Sequence, residues 1–277
     1  MDIVFLGTGG GRFNLVCQQR RTAGFRINGP ITFHIDPGPG ALSASLEFSQ
    51  AAERIDYILS THNHIDHVND AGLMVEAMTG GALRRRGGII APKSVLVADE
   101  YGERAISSYH LEKLCEKIVA KPGKPFKVSR NGASAEISPF KVRHEDSTGF
   151  GFTLRMAGVC IGYTSDTEYY KGLSRHLSGC DILIANNLKA SEDEIPGHLC
   201  SGTTARLLSE CKPGLAVITH LGMGIIQKGP QKEAEKISTK SGVETIAAQD
   251  GLRIALPSLA QSILPPLPRH EYKPKRG

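Results

Sequence analysis

Short apolar runs alternate along the chain with segments of helical spacing, the signature of a layered α/β protein. Runs at 1–6, 22–27, 31–36 and 55–60 read as strands, and Asn28-Gly29 is a hairpin signal between the second and third. A helix is expected near 41–53, and apolar positions 68, 71, 74, 75 and 78 repeat at helical intervals. The pattern then predicts a strand over 87–97 and a helix over 99–117. Strands follow near 118–121, 125–129, 133–138, 139–143, 150–156 and 158–164, broken by Asn131-Gly132 and Ala157-Gly158. Beyond them, 181–185, 215–219 and 243–255 read as strand, and 202–211 and 231–241 as helix. Strands-then-helix in each half suits two sheets facing each other between helical layers.

The first strand runs into Gly7-Thr8-Gly9-Gly10-Gly11, which lacks the Gly-Lys-Ser/Thr of a phosphate-cradling loop and opens no obvious helix. It reads as a tight turn that needs positive φ.

Composition narrows this picture in three ways. At 277 residues, with 40% hydrophobic and 22% charged, the chain suits one large soluble domain with a substantial core. We expect that domain over 1–256, followed by a tail, 257–277, that is proline-rich and basic. No apolar stretch approaches the ~18 residues of a membrane span, and the first residues lack a signal-peptide pattern, so a cytoplasmic protein with no membrane partner is expected. Six scattered cysteines (17, 115, 160, 180, 200, 211) without a C-x-x-C pair exclude a thiolate zinc knuckle and a disulfide framework. Free, mostly buried thiols are expected. A net charge of +5 leans weakly toward anionic partners; the run Arg84-Arg85-Arg86 reads first as a solvated face.

The chemistry concentrates in Thr61-His62-Asn63-His64-Ile65-Asp66-His67, between the strand at 55–60 and the helical pattern from 68. H-x-H-x-D-H arises by chance in roughly one chain in two thousand of this length, so the pattern is specific. His62 and His64, two apart on extended backbone, point to one side, while Asp66 and His67 sit where the chain turns into a helix. Two pairs of ligands for two neighbouring metals is the natural reading, and neutral imidazole with carboxylate suits zinc, with manganese or iron as alternatives.

This motif after a strand resembles that of the metallo-β-lactamase superfamily. On that resemblance three more positions match the family's ligands: His144 after Phe140-Lys141-Val142-Arg143, Asp166 after Gly162-Tyr163-Thr164-Ser165, and His220 after Ala216-Val217-Ile218-Thr219. The resemblance covers about 1–256 and implies a four-layer αββα sandwich. It implies that His62, His64 and His144 hold one divalent metal, that Asp66, His67 and His220 hold another, and that Asp166 bridges. It also implies hydrolysis by a metal-bridging hydroxide, with Asp66 counted among the catalytic residues. Asp36, Thr61 and Thr219 are candidates for holding the outer nitrogens of the ligand rings.

His198, in Gly197-His198-Leu199-Cys200-Ser201-Gly202-Thr203-Thr204, precedes a helix and stands 22 positions before His220. It is similar to the His-Ser-Thr-like segment of the phosphodiesterase branch, which includes ribonuclease Z and cyclic-phosphate diesterases. There the histidine implies a catalytic role, and a protonated imidazole beside the phosphate is expected. The opening Phe5-Leu6-Gly7-Thr8-Gly9 resembles this branch too. Two departures point away from precursor tRNA. Only 21 residues separate His144 from Asp166, leaving no room for the tRNA-gripping arm, and Asn186-Asn187 stands where relatives often carry an acid. The expected partner is a small-molecule, nucleotide or nucleic-acid-end phosphodiester; both a monomer and a homodimer remain open. A thioester, lactone or lactam hydrolase of this fold is the alternative, and a non-catalytic binding protein a third reading that the full ligand set opposes. His34, His110, His176 and His270 read as structural or surface residues.

Overall fold

In the computed structural model, residues 1–256 and the pair Ile263–Leu264 are described. The first half of the chain forms β1 (Asp2–Phe5), α1 (Gly11–Cys17), β2 (Phe25–Asn28), β3 (Phe33–Ile35), α2 (Ala41–Glu47) and β4 (Tyr57–Leu59). It continues through α3 (Ile65–Val68), α4 (Ala71–Met78), β5 (Gly88–Ala91), α5 (Lys93–Leu96), α6 (Ser108–Glu112) and β6 (Glu116–Val119). The second half forms β7 (Phe126–Arg130), β8 (Ala133–Lys141), β9 (Phe150–Met156), β10 (Val159–Tyr163), α7 (Leu173–Leu177) and β11 (Ile182–Lys189). There follow β12 (Leu199–Cys200), α8 (Ser201–Cys211), β13 (Leu215–Thr219), α9 (Met223–Lys228) and α10 (Pro230–Ser241). Three short strands close the chain: β14 (Thr245–Ala247), β15 (Arg253–Ala255) and β16 (Ile263–Leu264).

One sheet has the order β16-β15-β1-β2-β3-β4-β5-β6, and the other β14-β13-β11-β10-β9-β8-β7 with β12 beside β11. Each has an antiparallel and a parallel half: β3 to β6 run parallel in the first, β10, β11, β13 and β14 in the second. Alternation along the strands sorts the core. In β1, Ile3 and Phe5 face the opposite sheet, where they join Phe25, Phe33, Phe150, Phe152 and Ile161. Val4 and Leu6 face outward and meet Ala44, Met74 and Val75 of α2 and α4. On the far side, Leu183, Ala216 and Ile218 pack beneath Leu207, Leu208 and Ile237 of α8 and α10. The expected four-layer αββα sandwich is what forms.

Where elements differ from expectation, local chemistry explains it. The helix over 99–117 shrinks to α6. Asp99 instead accepts from the amides of Tyr101 and Glu103, Gly102 takes positive φ, and the Ser107 hydroxyl caps α6 by accepting from the His110 amide. The strand over 87–97 stops at Ala91, because Pro92 starts α5 and turns Val95 and Leu96 into buried helical residues. The strands at 133–138 and 139–143 are one continuous β8, with Pro139 paired to Phe152. The segment 243–255 splits between sheets: β14 lies beside β13, β15 beside β1, and Gly251 (φ 85°) makes the turn. The glycine-rich run does open a helix, α1, and among its glycines only Gly11 has positive φ (75°). The expected tail at 257–277 lies outside the described residues, apart from β16. Arg85 and Arg86 of the basic run bond to the carbonyls of Leu114, Ile55 and Met78, which gives those two a structural use.

All proposed ligands follow the C-terminal ends of β4, β8, β10 and β13, along one edge of the sandwich; β4, β10 and β13 belong to the parallel halves and β8 to an antiparallel one. Phe152 lies fully buried between the sheets and meets the Tyr163 ring edge-on at 5.7 Å. Phe152→Ala is expected to cost about 3–5 kcal/mol in urea or thermal unfolding; a loss below about 1 kcal/mol would show that the sheets do not close on this ring.

Candidate metal centre

β4 ends at Leu59, and Ser60 keeps the sheet register by donating its amide to the Ile90 carbonyl. The chain bends at His62 and Asn63, returns to extended backbone at His64 (φ −67°, ψ 144°), and enters α3 at Ile65, bringing Asp66 and His67 round to the same site. His62 and His67 are buried, whereas His64 keeps about a third of its side chain exposed.

Four of the histidines named from the sequence converge on a fifth group named there, Asp166 Oδ2. It lies 3.9 Å from His62 Nε2, 3.5 Å from His67 Nε2, 3.9 Å from His144 Nε2 and 3.3 Å from His220 Nε2. His198 Nδ1 is 3.6 Å from the same oxygen. Around it the donor atoms of His62, His64 and His144 form one group and those of Asp66, His67 and His220 another, each with its atoms within 4.8 Å of one another. His64 Nδ1 and His144 Nε2 face each other at 3.1 Å, and His220 Nε2 lies 3.3 Å from Asp66 Oδ2. The buried Nε2 atoms of His62 and His67 have no hydrogen-bond partner. Orphaned imidazole nitrogens pointing at shared carboxylates are what a divalent cation satisfies, so the donor set fits two metal sites with Asp166 between them.

Behind the inward nitrogens stands a second set of contacts that fixes each ring. Asp36 accepts from the Thr61 amide (2.7 Å) and hydroxyl (2.9 Å), from His67 Nδ1 (2.9 Å) and from the Tyr163 hydroxyl (2.9 Å). Thr61 Oγ1 lies 3.1 Å from His62 Nδ1 and accepts from the Ser165 hydroxyl at 2.7 Å. The His144 Nδ1 partner is the Gly197 carbonyl at 2.9 Å, and the His64 Nε2 partner is Glu145 at 3.3 Å. Asn186 donates to the other Asp166 oxygen, Oδ1, at 2.6 Å. Asp36 and Thr61 thus hold ligands as expected, but no hydrogen bond joins Thr219 to a ligand ring among the described residues. Tyr163, Ser165, Glu145 and Gly197 were not singled out from the sequence. Only the first two carry a signal there, since they flank Asp166 in its motif.

His220 is held sterically. Its Nδ1 is buried without a partner, and the ring lies against Gly10, where a Cβ would come within 2.2 to 2.4 Å of three ring atoms. The glycine run therefore serves close approach at this position, not the positive φ expected of it. Three non-glycine residues of the site, Asp36 (φ 50°), Ser165 (φ 54°) and His220 (φ 54°), adopt left-handed backbone just past their strands, a local strain common where a site is over-determined.

The charges match this geometry. Burial opposes the charge on Asp166, yet the His220 and His67 imidazoles hold its carboxyl well below the usual range. Burial likewise opposes protonation of His67, but Asp66, Asp166 and Asp36 raise it well above an ordinary histidine. Burial drives His62 and His144 toward the neutral form that binds metal. His198 is pushed down to about 4 by burial, with the His220 and His144 rings reinforcing it against Asp166. Burial therefore favours the neutral imidazole in the free site, whereas the protonation expected from sequence concerns the ring beside a bound phosphate. The remaining histidines are structural: His34 is buried between Arg26 Nη2 and the Ala23 carbonyl, His110 meets Glu76, and His176 stacks on Phe140. His270 lies outside the described residues.

Protein stripped with chelator and refilled with zinc is expected to take up close to two ions per chain and to gain thermal stability, as ligands that bind only the folded state do. Gly10→Val is expected to displace His220 and cut uptake toward one ion per chain, read by elemental analysis. Two tightly held ions in that variant would show that the ring needs no such clearance.

Comparison with known proteins agrees with this architecture. The model of the "Beta-lactamase superfamily domain" matches residues 32–221. An uncharacterized protein of Methanocaldococcus jannaschii is 38% identical over 259 residues, covering 92% of this chain and 95% of its own. The crystal structure of the metallo-β-lactamase fold protein YhfI from Bacillus subtilis superposes with a TM-score of 0.70 at 21% identity, over 91% of this chain and 97% of that one. Zn(2+)-bound PqqB from Methylobacterium extorquens gives a TM-score of 0.72 at 15% identity, over 92% and 100%. Human tRNase Z, short form, gives 0.64 at 17%, over 93% and 100%. With the family model covering most of the fold, and the His/Asp cluster in place at the sheet edge, the chain belongs to the metallo-β-lactamase superfamily.

Proposed function

We propose that this protein is a binuclear metal-dependent hydrolase acting on a phosphodiester, either a small cyclic or nucleotide diester or a nucleic-acid end. His62, His64 and His144 would hold one divalent ion and Asp66, His67 and His220 the other, with Asp166 shared; the donor chemistry and the zinc-bound PqqB neighbour favour zinc. Bound there, the ions would supply Lewis acidity and lower the pKa of water at the site.

The observation that carries the phosphodiester reading is His198. It belongs to neither of the two triads assigned above, although with His144 and Asp166 it forms a further group of donor atoms within 4.8 Å; it lies 3.6 Å from Asp166, its ring 4.9 Å from His144 and stacked with His220 at 5.8 Å. A carbonyl hydrolase has no evident use for this additional imidazole, whereas a phosphoryl centre develops charge on several oxygens at once and needs a further donor. His198 is held for such a role. Its neighbour Gly197 (φ 72°) is committed to His144 through its carbonyl, and α8 begins three residues on, its capping interactions made by Cys200 and Thr203. Asn187 and Thr204 tie α8 to β11.

The rest of the site positions the reaction. Asp36, Thr61 and Tyr163 keep the inward ring nitrogens aimed, and Asn186 fixes the orientation of Asp166. The cleft beside them encloses about 220 Å³ and suits a small substrate or a chain end. The short segment from His144 to Asp166 is spent on the β9–β10 hairpin, which supports the expectation that no tRNA-gripping arm is present there.

A panel of bis(p-nitrophenyl) phosphate, cyclic nucleotides, thioesters and lactones tests this with zinc- or manganese-loaded protein. Diester turnover is expected, and His198→Ala should lower kcat on diesters by on the order of 10²-fold with metal content unchanged. A preference for thioesters or lactones, indifferent to His198→Ala, would move the assignment to a carbonyl hydrolase.

A further inference from the structure

We propose that Arg12 is a specificity determinant, selecting diesters that carry a second anionic group such as a phosphate beyond the scissile one. The inference rests on the phosphodiester reading above and extends it to substrate class. Arg12 and Leu15 of α1 line the cleft together with His64, Asp66, Glu145 and His198. Arg12 is exposed, and its guanidinium has no hydrogen-bond or ion-pair partner among the described residues.

Nearby arginines are already engaged. Arg20 donates to Thr8 Oγ1 and the Ala248 carbonyl, Arg21 pairs with Glu47 at 2.6 Å, and Arg143 lies against Glu168 (3.5 Å) and the Tyr170 ring. Among the described residues that line this cleft, Arg12 is the one lysine or arginine.

The placement is rigid where it matters. Asn14 is fully buried and bonds both the carbonyl (2.8 Å) and the amide (3.0 Å) of Arg20. Gly10, two residues before Arg12, donates its amide to the Leu221 carbonyl while packing on His220. The arginine thus sits on the same backbone unit that braces a metal ligand, so its reach is measured from the reacting centre.

The cleft is also asymmetric in charge. Glu145 lines the same cleft beside the outer nitrogen of His64 and disfavours a second anion there. A substrate with two negative groups therefore enters in one orientation, with its scissile phosphate at the ligand cluster and its other anion toward α1. Leu15 and the half-exposed Ile65 offer apolar contact to the carbon skeleton between them.

The test compares two substrates on zinc-loaded protein: the p-nitrophenyl ester of thymidine 5′-phosphate, and the same ester with an added 3′-phosphate. Wild type should favour the second in kcat/KM, chiefly through KM, and the preference should shrink as salt rises from 20 to 300 mM. Arg12→Gln should lower the preference by at least about tenfold, Arg12→Glu by more, and Arg12→Lys should restore part of it. If neither ester nor bis(p-nitrophenyl) phosphate is turned over, the phosphodiester reading fails and this inference with it. If diesters are hydrolysed but the preference is absent, or is unmoved in Arg12→Gln, the inference alone is overturned.

Discussion

A carboxylate buried beside five imidazole rings is the constraint on which the rest of this structure depends. Asp166 is almost fully sequestered, and an isolated charge at that depth would be costly. The surrounding rings of His220 and His67 offset that cost, and Asp66, Asp166 and Asp36 in turn favour positive charge at His67. Other features follow from keeping the acceptors close without collapse. Four strand ends bring the ligands in from different directions, strained backbone at Asp36, Ser165 and His220 aims them, and Asp36 locks His67 to Thr61 and Tyr163.

The sandwich suits this task because its halves divide the labour. The antiparallel half of each sheet supplies the wide apolar surface that joins the layers, with Phe25, Phe150 and Phe152 packed in the middle. The parallel halves end together at one edge and leave the loops there free to carry polar side chains. A site at that edge can be rigid without being buried in the core.

The H-x-H-x-D-H loop, His144, Asp166 and His220 were legible in the sequence because each follows an apolar strand, and the structure brings all of them together. The layered fold was legible from the alternation of strand and helix patterns. What escaped was set by long-range packing. Gly10 looks like any turn glycine until His220 lies against it, and Gly197 serves through its carbonyl, which no residue type announces. The downward pull on His198 escaped for the same reason: it comes from burial among other imidazoles, from elements far apart in the chain. The helix anticipated at 99–117 failed locally, because the Asp99 and Gly102 turn chemistry outcompetes helical propensity.

The split of 243–255 between the two sheets has a consequence for how the site is held. Asp250, in the turn between β14 and β15, accepts from the amide and hydroxyl of Thr8 and from the Arg21 amide, and so anchors the glycine turn that braces His220. The turn that braces His220 is thus held by a contact 242 positions away in sequence, between Thr8 and Asp250. Closing a loop of that length carries a larger entropic cost than a local hairpin such as β9–β10, so this brace is a long-range contribution to the site that no single local segment can make alone.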